Sequence, residues 1–85
     1  MGRWNYRVVR HPAAPGKTED WFAIHEVYYG DDGEPTNMSA EPVQFVSESP
    51  EELACSVAMA LSDARNRPVF DPPAAWPHPK GQLDG

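Results

Sequence analysis

A single cysteine, Cys55, stands in the whole chain, so no disulfide framework holds it together. With only three histidines beside it, no spacing matches a metal-ligand motif. No segment approaches the roughly 18 to 20 apolar residues that cross a bilayer. The first residues, MGRWNYRVVRH, alternate polar with aromatic or aliphatic side chains and lack the apolar run of a secretory leader. Phosphate-cradling glycine loops, the G-x-S-x-G elbow and the dinucleotide fingerprint are all missing. Basic residues are scarce, 7 against 13 acids, for a net charge of −6. Charge-driven nucleic-acid binding needs Lys and Arg to displace counterions from phosphates, so it is not expected here. Together these absences predict a cytoplasmic, non-enzymatic chain that calls for no cofactor and no metal.

What is present is a short chain rich in proline and aromatic residues. Domains near its 85 residues bury only about 60% of the surface their unfolded forms expose, so the core is small. Ten prolines are present, and five of them (68, 72, 73, 77 and 79) fall in the last eighteen residues. The sequence therefore divides into a folded unit over 1–71 and a proline-rich tail over 72–85, stiff at first and disordered past Pro77. Charge is segregated too. Residues 1–18 carry +4, residues 19–63 carry −11 with no Lys or Arg, and the remainder carries +1. Two uses suit that division: a basic strand pairing beside an acidic one, or an acidic surface kept for a basic partner.

Periodicity gives three strands and a helix. Residues 4–10 alternate in the manner of a half-buried strand. Pro12, Pro15 and Gly16 then predict a loop that includes His11. WFAIHEVYY, residues 21–29, is apolar on both faces, which marks a central, doubly covered strand. A turn at Gly30, Asp31, Asp32 and Gly33 follows, and a third strand is expected between 41 and 47 around Val43, Phe45 and Val46, after an irregular arm over 34–40. Ser49, Pro50, Glu51 and Glu52 read as a helix start with a capping box. Leu53, Val57, Ala60, Leu61 and Ala64 form its apolar stripe, and Asn66 before Pro68 suits a left-handed cap. The predicted fold is α+β: a three-stranded antiparallel sheet with one helix on one face (β-β-β-α) and an extended tail. The second sheet face is left for Val69 and Phe70 to strap, or for another copy of the chain to cover, so both a monomer and a homodimer stay open.

The motif string W-N-Y-R-V-V-R-H, I-H-E-V-Y-Y, D-D-G-E-P, E-P-V, E-S-P-E-E-L and R-P-V-F-D resembles a group of short, uncharacterised bacterial proteins. That resemblance covers residues 4–71 and implies a bacterial origin without a known activity. The strand followed by a capped E-E-L helix is also similar to the sheet-and-helix domain of HicB-type antitoxins. This chain departs from that pattern in placing a proline-rich tail where a DNA-binding segment would follow.

Few polar residues suggest chemistry. His25 and Glu26 are adjacent on a strand and point to opposite faces, so they cannot serve one substrate. His25 reads as a packed, hydrogen-bonded residue, and Cys55 as a small helix residue in partial contact. Asp31, Asp32 and Glu34 lack the spacing of a calcium loop and suit a turn. Nine aromatics are the better clue, since Trp and Tyr not needed by the core are the residues that anchor interfaces. The sequence thus predicts an interaction module that meets a protein partner through an aromatic sheet face or strand edge. Trp21, Tyr28 and Tyr29 are the candidate contacts, with Glu51 and Glu52 at the rim. The alternative is an acidic nucleic-acid mimic that occupies the basic groove of a DNA-binding or phage-defence protein.

Overall fold

The computed structural model describes residues 3–76. Four elements follow in order: β1 (Arg3–His11), β2 (Trp21–Tyr29), β3 (Pro35–Met38) and α1 (Pro50–Asn66). The strands form one antiparallel sheet in the order β1-β2-β3, so the doubly apolar β2 is central, and α1 packs against β1. The architecture is the α+β arrangement that the periodicity predicts. β1 and β2 pair over their full length, with Arg3 opposite Tyr29, Arg7 opposite His25 and His11 opposite Trp21. Alternation then puts Val9, His11, Trp21, His25 and Val27 on one face, and all five are buried. The other face carries Trp4, Tyr6, Val8, Ile24, Glu26 and Tyr28. There Tyr6 is buried between an edge contact from Trp4 at 5.1 Å and Phe45 at 6.1 Å.

The third strand lies earlier than the apolar pattern indicates. β3 is formed by PTNM directly after the turn, and the Val43 to Val46 run lies outside the strands, with Val46 exposed. Turn chemistry decides this. Gly33 donates to the Gly30 carbonyl and Gly30 to the Glu34 carbonyl, and Gly33 sits at φ 83°, a left-handed conformation that favours glycine. So tight a reversal brings Pro35 beside Tyr29 at once, through a shift of register between Tyr28 and Tyr29. Proline is tolerated because β3 is an edge strand. The chain then keeps following β2, with Ser39 N–H donating to the Glu26 carbonyl and Val43 N–H to the Ile24 carbonyl.

α1 starts as predicted at the Ser49 cap, whose hydroxyl accepts from the backbone N–H groups of Glu51 and Glu52. The reciprocal half of the capping box is absent. Ser47 intervenes, its hydroxyl accepting from Ser49 N–H and donating to the Glu52 carboxylate. Ser49→Ala is expected to cost about 1 kcal/mol of stability, as caps typically do, measured by urea unfolding. At the other end Asn66 stays helical and the cap is Arg67, extended at φ −124° and ψ 146° because Pro68 follows it. The helix faces the body through Leu53, Ser56, Ala60, Asp63 and Ala64, and Ala60 is its one buried residue among those described. Val57 and Leu61, assigned to the covered stripe by spacing, are exposed.

The outward edge of β1 is occupied from Tyr6 to Arg10. Tyr6 N–H donates to the Asp63 carboxylate at 3.1 Å, and Phe70 pairs in parallel with Val9 through Phe70 N–H to the Val8 carbonyl and Arg10 N–H to the Phe70 carbonyl. The tail therefore adds beside the sheet instead of strapping across its face. It continues to Trp76, which packs on Phe70 at 5.7 Å. The expectation of disorder past Pro77 lies outside the described residues. The arginines of β1 face Tyr29, His25 and Phe22 across the pair, so the basic strand is not neutralised by the acidic block as the charge runs suggest. Arg10 instead bonds Asp71 at 2.7 Å and lies over Phe22.

Candidate functional site

The residues singled out as partner contacts divide between the core and the surface. Trp21 is buried, its ring stacked on His11 with centroids 4.2 Å apart, and it has no free face to offer a partner. That corrects its assignment as a contact: the end of β2 pairs with the end of β1 and the two rings close the sheet there. Tyr28 is half-buried and its hydroxyl donates to Glu26 at 2.6 Å. This bond, with burial and the carboxylate's charge adding, holds the phenol above its ordinary range. Tyr29 donates to Asn5 and accepts from Arg7, so its hydroxyl orients other groups. Glu51 and Glu52 are exposed in the first turn of α1, where they complement the helix dipole.

Three groupings are brought together that spacing does not reveal. The first is the buried histidine pair. His11 closes β1 instead of lying in a loop, and its Nε2 meets His25 Nε2 at 2.9 Å, with both residues fully buried. Between them in the register stand Val9 and Ala23, whose small side chains leave room for the rings to lean together. His25 Nδ1 lies 3.0 Å from the Ser39 carbonyl, which can only accept, so Nδ1 carries the proton. The Ser39 hydroxyl spends its proton on the Glu41 carbonyl and accepts from Glu26 N–H, which also leaves it an acceptor towards Nδ1. In the neutral pair His25 Nε2 is therefore bare and His11 Nε2 donates to it.

The second grouping is a ridge on α1. Val57 and Leu61, one turn apart, are 44% and 50% exposed, and Met59 on the opposite shoulder is 55% exposed. Glu51 and Glu52 stand at the N-terminal end of the same helix. The third is a cleft of about 400 Å³ lined by Arg3, Trp4, Asn5, Arg7, Tyr29, Gly33 and Arg67. It holds three of the chain's seven basic residues and no acid.

No family model, curated protein or solved structure matches the chain.

Among the described residues no three His, Cys, Asp or Glu side chains gather as a metal would require. No helix among them is long and apolar enough to cross a membrane. Cys55 is exposed on α1. Basic residues were legible as a run in the sequence, but the part Arg67 plays in the cleft was not, since it depends on where the helix ends against β1.

Proposed function

We propose that this chain is a cytoplasmic interaction module that docks a protein partner on the outer side of α1. The observation behind this reading is the helix itself. Seventeen residues bury one side chain, while Val57, Met59 and Leu61 stand in water. Single exposed apolar residues are ordinary, but Val57 and Leu61 are neighbours one turn apart on the same flank of α1, and a contiguous apolar patch marks a contact surface. The rim indicates the partner's chemistry. Glu48, Glu51 and Glu52 surround the helix start, and residues 19–63 contain no Lys or Arg. Complementarity then requires an apolar centre bordered by Lys or Arg on the partner.

The test is capture from the native cell with the wild-type chain and with Val57→Asp/Leu61→Asp, together with light scattering of the chain alone. Both positions are exposed, so the variant is expected to fold, with a stability change within about 1 kcal/mol. Loss of one retained protein in the variant, with persistence of most binding at high salt, is the expected result. If the variant retains everything the wild type does, the docking surface is wrong. A dimer that the variant abolishes would make the occupant a second copy instead. Binding that collapses in salt and depends on Glu51 and Glu52 but not on Val57 would favour the acidic mimic.

A further inference from the structure

We infer that the open end of the β1 edge binds an acidic segment of a partner protein as an added antiparallel strand, with carboxylates on Arg3 and Arg7 and an apolar side chain on Trp4. The parity of the ladder fixes which backbone groups are on offer. Tyr6, Val8 and Arg10 turn theirs away from β2, to Asp63 and Phe70, so Trp4, two residues before Tyr6, turns its N–H and C=O the same way. Neither group has a hydrogen-bond partner among the described residues. An unpaired N–H and C=O on a strand edge are what an extended peptide pairs with. Phe70 already adds to the other end of this edge.

Asp63 sets the direction. Among the described residues a parallel strand at this end would use the Trp4 C=O and the Tyr6 N–H, as Phe70 uses those of Val8 and Arg10, and Asp63 holds the Tyr6 N–H at 3.1 Å. An antiparallel strand needs only the N–H and C=O of one residue, and Trp4 offers both.

Register then assigns the side chains. Opposed side chains of an antiparallel pair share a face, so the peptide residue opposite Trp4 lies beside the indole, which is 45% exposed. Its two neighbours fall on the other face, opposite Arg3 and Asn5, where alternation also places Arg7. Arg3, Arg7 and Arg67 line one cleft of about 400 Å³ whose lining includes no carboxylate. Arg7 is oriented in advance of any ligand: Nε and Nη2 donate to the Pro68 carbonyl and Nη1 to the Tyr29 hydroxyl, which leaves two N–H groups to donate. Arg67 spends only Nε, on Asp63, and Arg3 makes no side-chain hydrogen bond or ion pair among the described residues. Such planar donors suit carboxylates. The complementary segment is therefore an apolar residue between two acids.

A phosphodiester backbone would meet the same arginines, but it carries no donor and would leave the Trp4 C=O facing an anion. A peptide brings its own N–H to that carbonyl and a C=O to the Trp4 N–H.

The experiment titrates the full chain with the end-capped peptide Gly-Ser-Glu-Leu-Glu-Ser-Gly, its Gln-Leu-Gln counterpart, the Glu peptide N-methylated at leucine, and hexathymidylate, followed by calorimetry and amide NMR. The Glu peptide is expected to saturate the chain, to bind at least about fivefold tighter than the Gln peptide, and to weaken with salt. N-methylation removes the donor to the Trp4 C=O and is expected to weaken binding by about fivefold or more. Hydrogen exchange at the Trp4 amide should slow in the complex. Arg3→Gln, at an exposed position, is expected to weaken the Glu peptide several-fold and leave the Gln peptide unchanged, which a defect of folding would not do. No saturable binding up to millimolar peptide overturns the proposal, as does equal affinity for the Glu and Gln peptides or for the plain and N-methylated ones. Hexathymidylate binding as tightly as the Glu peptide overturns it too, and so does a dimer of the chain alone that Arg3→Gln abolishes, which would make the occupant a second copy.

Discussion

His25→Leu is expected to destabilise the protein by about 2 to 4 kcal/mol, the cost of leaving one buried and one half-buried polar group without the partner each has in His25. Those groups are His11 Nε2, which is buried, and the Ser39 carbonyl, which lies just past β3 and is half-buried. Small domains hold only about 0.05 to 0.15 kcal/mol per residue in total, so a loss of this size leaves much of the population unfolded. Urea or thermal unfolding at pH 7 measures it, and a wild-type midpoint would show that the pair contributes nothing.

The parts of this fold that were legible in the sequence are those set by strong local chemistry. β2 stands out because WFAIHEVYY is apolar on both sides, and the start of α1 because Ser49 and Pro50 specify it. The third strand was hidden because PTNM has neither alternation nor bulk; it is a strand only because the Gly30 to Gly33 turn delivers it to the edge of β2. The histidine pair was hidden for a related reason. His11 precedes Pro12 at the end of the alternating run, and nothing in the local sequence says that a nine-residue β1 register will set it on the face that His25 shares. The cleft needed a third kind of information, the place where Arg67 ends the helix against β1. Long-range register and the docking of α1 therefore decide both candidate sites, and neither is a property of any short window.

Docking of α1 can be tested at one position. Ala60→Glu is expected to detach the helix at a cost above about 3 kcal/mol, because a carboxylate would have to enter a space that holds a methyl group. Ala60 is 2% exposed and is the one buried residue of α1 among those described. Three residues further on, Asp63 caps the Tyr6 amide at the edge of β1, so a helix pushed away also leaves that N–H without its acceptor. The loss should spread to the helix as well. An isolated 17-residue helix is marginal in water even with a good cap, so far-ultraviolet circular dichroism is expected to lose helical signal along with the tertiary signal of Trp4 and Tyr6. Ala60→Ser, which changes volume little, should cost far less and keep both signals. Hydrogen exchange at the Tyr6 amide provides the local reading: faster exchange in Ala60→Glu with Val27 still protected would mean that the sheet survives while the helix leaves it. A variant as stable as wild type, with Tyr6 still protected, would mean that α1 stays docked on β1 through Asp63 and that the space around Ala60 does not decide the docking.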